Sequence, residues 1–395
     1  MREHRDNSRR LAAFIVSRWI LTKEFPSDML PQDSNVDRSF IQDLVYTTVR
    51  RFRPLRTILG EFVPKWPKGE MEALLLVGAA QILYMPSVKE FAAVYETVNA
   101  AKMCSNPSIA RVVNGVLRSL LRNLDSVKER LENAPLAERE SYPNQIVNRW
   151  IERFGEEGAE KMAKWHNTPA STYLAYNPNI KSEAFVELPH GQKVTAQEGY
   201  KQGHFIVQDP ATAHAVELLD VKPGLKVLDY CAAPGGKTIQ TAWRLNRENS
   251  RLIAMEVNPL RLERLRENLK RVKLDWVEVV RRIKEGEMFD RVLVDAPCSN
   301  SGVFRRRPDA RWRWSCEMFA DLEKLQMKIL EDSSRHVLPG GILVYSTCSN
   351  EIEENEERIK AFLEKHPEFS MLEKRESIPF ETGYDGAFAC ALKRK

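Results

Sequence analysis

Two cysteines, Cys298 and Cys348, each follow an apolar, strand-like run. Arg291–Val294 leads into Asp295-Ala-Pro-Cys298, and Gly341–Tyr345 leads into Ser346-Thr-Cys348. In an open parallel sheet the carboxyl ends of the strands line one crevice, so two thiols delivered there can act on a single substrate. Methylation of carbon 5 of a pyrimidine is a reaction that uses two thiols and an acid together. That carbon is a poor nucleophile until a thiolate adds to the neighbouring carbon 6. The adduct needs help at N3 and the exocyclic amine, which Asp295 can give by hydrogen bonding or proton donation. A second polar group must then assist loss of the carbon-5 proton and release of the enzyme.

A second motif reads as a ligand cradle. Val227-Leu-Asp-Tyr-Cys231-Ala232-Ala233-Pro234-Gly235-Gly236-Lys237-Thr238 is a strand running into a glycine-rich turn and a helix start, where backbone can approach a nucleotide-like molecule closely. Gly236-Lys237-Thr238 imitates a phosphate loop, yet Cys231 stands where that loop requires glycine, which disfavours a nucleoside triphosphatase. Glu256, at the end of the next strand-like run, is placed to accept hydrogen bonds from ribose hydroxyls. No GxGxxG is present, so S-adenosylmethionine is a better candidate than a nicotinamide dinucleotide.

The segment Phe304–Trp314 holds five arginines, one aspartate and two tryptophans. Such a mixture supplies phosphate contacts and flat surfaces for unpaired bases, the usual way of holding single-stranded RNA, with a solvated loop as the alternative. The six cysteines show no CxxC pair and no His/Cys cluster, so neither a metal nor a disulfide framework is expected. Cys104, Cys316 and Cys390 read as small buried apolar residues, Cys231 as packing beside the turn, and His204 and His214 as ordinary polar residues.

These residues need elements to hold them, and the chain has length enough for two or three domains. Helical spacing recurs in Leu11/Phe14/Ile15/Trp19, Phe40/Leu44/Val45, Leu74/Leu75/Val77/Ile82 and Val112/Val113/Val116/Leu117/Leu120, with prolines between the segments. Residues 1–130 therefore read as an all-α bundle, and 131–205 as a small mixed α/β linker or RNA-binding domain. Beyond residue 205, Leu225–Tyr230, Arg251–Val257, Trp276–Val280, Arg291–Asp295 and Gly341–Thr347 alternate with helix-length segments, the pattern of a doubly wound α/β sheet over 206–395. Residues 1–124 carry 18 Lys and Arg against 12 Asp and Glu, a surplus that suits either a phosphate-bearing partner or solvated helix faces. The start, Met1–Asn7, is too polar for a secretory signal and no run is long and apolar enough to span a membrane, so a cytoplasmic location is expected.

Taken together, LDYCAAPGGKT, AMEVNPLRLERL, VDAPCSNSGVFRRRPDARW and LVYSTCSNEIEENE resemble the signature set of RNA cytosine-C5 methyltransferases of the NOL1/NOP2/Sun family. Phe205–Thr212 and Asp385–Phe388 are similar to that family's flanking motifs. The resemblance implies a Rossmann-like, class I S-adenosylmethionine-dependent domain with Cys348 as nucleophile and Cys298 assisting product release. The residues alone leave those two roles open, because DNA cytosine methyltransferases attack from the Pro-Cys position. It further implies that Cys231, Ala232, Ala233, Pro234, Gly235, Gly236 and Lys237 hold the methionine and ribose side of the cofactor. Glu256 and Arg261 would serve the ribose, and Asp295 would lie near both methyl donor and base.

Asp43–Arg50, Ala92–Val98 and Val113–Arg118 resemble a NusB-type helical RNA-binding domain. A fusion of that kind is similar to family members acting on 16S ribosomal RNA, which makes this RNA, naked or in an assembling small subunit, the expected partner of a monomer. Transfer RNA or another ribosomal RNA is an alternative substrate, and a non-catalytic RNA-binding factor an alternative role. Three departures stand out. No acid follows the third strand in Val279–Ile283, the stretch Ile180–His204 is short for the family, and Ala175 stands where arginine is common.

Overall fold

The computed structural model describes residues 8–31, 36–104, 106 and 108–395; the reading of Met1–Asn7 as a non-signal start lies outside them. The described residues form two compact units. One contains the chain to Asn167 together with Arg307–Trp314, and the other contains Thr168–Arg306 and Ser315–Lys395. Residues 131–205 are thus shared between them, divided after Asn167.

The first unit is helical: α1 (Ser8–Thr22), α2 (Arg38–Arg50), α3 (Phe52–Gly60), α4 (Glu70–Tyr84), α5 (Glu90–Lys102), α6 (Ser108–Arg122), α7 (Leu124–Asn133) and α8 (Asn144–Asn167). Asp37 caps α2 by accepting from the Phe40 N–H. Helix α4 is apolar all round and buried from Glu72 to Ile82, as befits a central helix against which α1, α5 and α6 pack. Its Gly78 marks the closest approach, since a Cβ there would stand 2.5 Å from the Leu117 Cδ1 of α6.

The second unit begins with a small antiparallel sheet, β2-β1-β3, from β1 (Thr172–Tyr176), β2 (Phe185–Leu188) and β3 (Phe205–Val207). Helix α9 (Ala213–Leu218) leads into the main sheet. There β4 (Lys226–Asp229), α10 (Gly236–Ala242), β5 (Arg251–Met255), α11 (Pro259–Arg271), β6 (Glu278–Val280) and β7 (Phe289–Asp295) follow in turn. Then come α12 (Cys316–Ser334), β8 (Val337–Thr347), α13 (Glu356–Lys365), β9 (Phe369–Ser377) and β10 (Ala387–Arg394). The order is β6-β5-β4-β7-β8-β10-β9, with β4 to β8 parallel and β10 antiparallel to both neighbours. Alternate strand residues feed opposite faces: Val227, Leu252 and Leu293 enter one core, Leu228, Ile253 and Val292 the other. This is the expected all-α bundle and Rossmann-like α/β sheet, with two strands the hydropathy reading did not find. β9 is largely exposed, and β10 is buried along Ala387–Leu392 without alternation.

Strand order reverses between β4 and β7, so the crevice beyond their carboxyl ends is where the fold places a ligand. The tips of β4, β5, β7 and β8 carry Asp229, Glu256, Asp295 and Cys348 or lie next to them.

Candidate active site

The glycine turn after β4 is tied to the strands on either side. Tyr230 donates its N–H to the Leu293 carbonyl of β7, and Ala232 donates to the Met255 carbonyl of β5. Gly235 adopts φ +107°, which lets the chain reverse into α10 without a Cβ in the way. The turn carbonyls are held as well, Ala233 by Arg261 Nη2 at 2.7 Å and Pro234 by Asn268 Nδ2 at 2.8 Å. Cys231 is packed here, and burial, reinforced by Asp229, pushes its thiol pKa far up, which keeps it neutral.

Glu256 is buried to 4% exposure just past β5; one oxygen accepts from the Asn258 N–H and the other lies 3.3 Å from Arg261. Beside it Val257 and Leu260 are 61% and 78% exposed, apolar faces next to a buried acid. Asp229 Oδ1 is buried without a hydrogen-bond partner while Oδ2 accepts from Thr238 at 2.6 Å. A positive-φ glycine turn, a buried acid at the next strand tip and exposed apolar side chains suit a nucleoside bearing a charged tail, so the residues fit S-adenosylmethionine.

Burial raises the Asp229 pKa to about 7, with the Thr238 hydrogen bond opposing. A carboxyl raised on folding binds protons that the unfolded chain has released, so this group costs stability as pH rises from about 4 towards 7. Asp229→Asn is expected to melt with wild type at pH 4 and higher by about 2 °C or more at pH 8, read by thermal unfolding.

At the tip of β7, Asp295 joins two elements. Its Oδ2 lies 2.7 Å from Lys237 Nζ and its Oδ1 accepts from Ser346 Oγ at 3.0 Å. Burial works against the Lys237 charge, but Asp295 outweighs it, and nearby Cys348 helps to hold the lysine pKa above its ordinary value. Cys298 Sγ and Cys348 Sγ stand 3.3 Å apart although 50 residues separate them. Cys348 Sγ also lies 3.4 Å from Asn300 Oδ1, and Asn300, at φ +61°, donates its amide to the Cys298 carbonyl at 3.0 Å. The hydrogen bond with Cys348, followed by burial, pushes the Cys298 thiol well up, which favours its protonated form.

Sequence reasoning missed the residue that clamps the two cysteine loops. Glu354, fully buried, accepts from the Ser299 N–H and Ser299 hydroxyl next to Cys298, from the Ser349 hydroxyl next to Cys348, and from Gln326 of α12. Gly302 and Gly386 complete the joint, where a Cβ on either would strike the other's backbone. The acidic run Glu351–Glu357 was visible in the sequence, but nothing local distinguishes a buried acid from its solvated neighbours.

In the arginine- and tryptophan-rich segment, Arg306, Arg311 and Trp312 are engaged within the fold rather than presented on an open surface. In the second unit, Arg306 is bound between the buried Asp209 and Asp385. In the first unit, Arg311 is fully buried, stacked 3.9 Å over the Tyr142 ring and donating to Asn167 Oδ1. Trp312 donates to the Val49 carbonyl and packs edge-on to Phe52. The Arg306 and Arg311 guanidinium groups are thus taken up by acceptors of the protein itself. Cys316 also departs from expectation: it is exposed at the start of α12, whereas Cys104 and Cys390 are buried.

The RsmB/F-type 16S rRNA methyltransferase family model matches residues 216–386, and the NusB family model matches residues 6–122. The probable ribosomal RNA small subunit methyltransferase B of Bacillus subtilis is 30% identical over 92% of both chains. The chain belongs to the RsmB/Sun family of methyltransferases. The ribosomal RNA small subunit methyltransferase B of Vibrio cholerae is 31% identical, covering 91% of this chain and 90% of its own. The crystal structure of PH0851 shares the fold, with TM-score 0.79 and 22% identity over 98% of this chain and 99% of that one. S-adenosylmethionine is the family's cofactor, and the glycine turn, Glu256 and Arg261 are the residues here that would hold it.

Proposed function

We propose that this chain methylates carbon 5 of a cytosine in 16S ribosomal RNA through a covalent Cys348 adduct. The observation that carries this reading is the 3.3 Å approach of two thiols beside the Lys237–Asp295 ion pair. When bound, S-adenosylmethionine supplies an electrophilic methyl group to carbon 5. The Cys348 thiolate forms a bond to carbon 6, and its electron pair becomes available at carbon 5 as N3 takes a proton from the Lys237–Asp295 pair. Asp295 accepts a hydrogen bond from the exocyclic amine, which selects cytosine over uracil. Cys298, held as a thiol, is poised within hydrogen-bond distance of the attacking sulfur. After passing its proton to solvent, Cys298 removes the carbon-5 proton as a thiolate; that C–H electron pair forms the C5–C6 double bond, the C6–S bond breaks with its pair returning to Cys348, and N3 gives its added proton back to Lys237. The fused NusB-type unit and the relatives' names support small-subunit RNA as substrate.

Bisulfite sequencing of ribosomal and transfer RNA from cells with and without the gene tests this. One protected cytosine in 16S RNA that vanishes with the gene is expected. Protection lost only in transfer RNA would redirect the substrate, and no change in any RNA would refute the activity.

A further inference from the structure

The helical unit carries a second surface that the chemistry above does not use. Between α5 and α6 lies an open groove of about 970 Å³. Its α5 side presents Phe91 and Tyr95 one turn apart, 70% and 63% exposed, followed by Lys102; its α6 side presents Arg111, Asn114 and Arg118 at helical spacing. No acid lines it. The cations are exposed, and those with hydrogen bonds are tethered to neutral amides: Lys102 to Asn99 at 3.2 Å and Arg118 to Asn114 at 3.0 Å. Among the described residues no carboxylate stands within ion-pair distance of Lys102, Arg111 or Arg118.

Exposed aromatic rings are costly in water, and cations without acids leave an attractive field for an anionic chain. A polymer with a flat apolar face and a negative charge at each repeat satisfies both features, the faces on the rings and the phosphates along the rim. An apolar peptide would leave the three cations unanswered. We propose that this groove binds a single-stranded segment of the RNA substrate, stacking bases on Phe91 and Tyr95 while Lys102, Arg111 and Arg118 meet its phosphates. The assignment rests on RNA being the substrate.

The test uses the full-length protein and a fluorescein-labelled oligouridylate about 20 nucleotides long, followed by anisotropy across a KCl series. Phe91→Ala/Tyr95→Ala is expected to weaken binding about tenfold or more. Arg111→Glu/Arg118→Glu is expected to reduce the salt slope by about 1.4, the loss of two single-strand phosphate contacts. Circular dichroism and calorimetric S-adenosylmethionine binding should match wild type for both variants, which separates a lost surface from a lost fold. Wild-type affinity and slope in both would overturn the proposal. So would variants that keep their oligouridylate affinity but fail only on assembling subunits, because the groove would then dock a protein. Groove-dependent binding by a protein that leaves no 5-methylcytosine would instead refute the enzymatic reading and leave the groove standing.

Discussion

Cys298→Ala is expected to accumulate a protein–RNA adduct that survives denaturing electrophoresis, whereas Cys348→Ala is expected to form none and to lose turnover by on the order of 10⁴-fold or more. The asymmetry follows from the site. The hydrogen bond to Cys348 and burial push the Cys298 thiol well up, which supports the proposed assignment of Cys348 as the attacking sulfur. In the proposed reaction elimination requires loss of the carbon-5 proton after methylation, so removing Cys298 should stop it at that stage with the carbon–sulfur bond intact. Incubating each variant with in vitro transcribed 16S RNA and S-adenosylmethionine provides the measurement. An adduct on Cys348→Ala, with none on Cys298→Ala, would exchange the two roles.

Glu354→Ala is expected to cost about 2–4 kcal/mol of unfolding free energy, because it strands several buried donors at once. Those donors are the Ser299 N–H and hydroxyl, the Ser349 hydroxyl and the Gln326 amide. Since Ser299 adjoins Cys298 and Ser349 adjoins Cys348, the same change releases the loops that set the sulfur separation. Turnover should therefore fall much more than apparent affinity for RNA. Glu354→Gln should recover part of both losses, because its amide oxygen still accepts while the serine hydroxyls rotate to suit its amino group. Denaturant unfolding and a kcat/KM comparison read the two effects. A Glu354→Ala protein with wild-type melting and turnover would show that the clamp has no role.

The helical unit was legible because its apolar residues recur at helical spacing and prolines mark the breaks. The central parallel strands were legible because strands buried on both faces read as short apolar runs, and the edge strand β6 because Trp276–Val280 is mostly apolar. β9 and β10 were not. An exposed edge strand such as β9 has no apolar run to find, and the apolar run of β10, Ala387–Leu392, is half alanine, a residue depleted in strands. Arg306 and Arg311 were misread for a related reason: a guanidinium bound to phosphate and one held by acceptors of the protein itself have the same local sequence.

The amino-acid order alone determined which side chains arrive at strand tips: Asp295 and Cys298 after one apolar run, Cys348 after another, and Glu256 after a third. Strand length and turn position are local properties, so spacing along the chain was enough. Only the tertiary structure decided the 3.3 Å sulfur separation, the Lys237–Asp295 pair and the Glu354 clamp. These depend on which strands become neighbours and on which acid loses its water, and both are settled by packing between residues tens of positions apart.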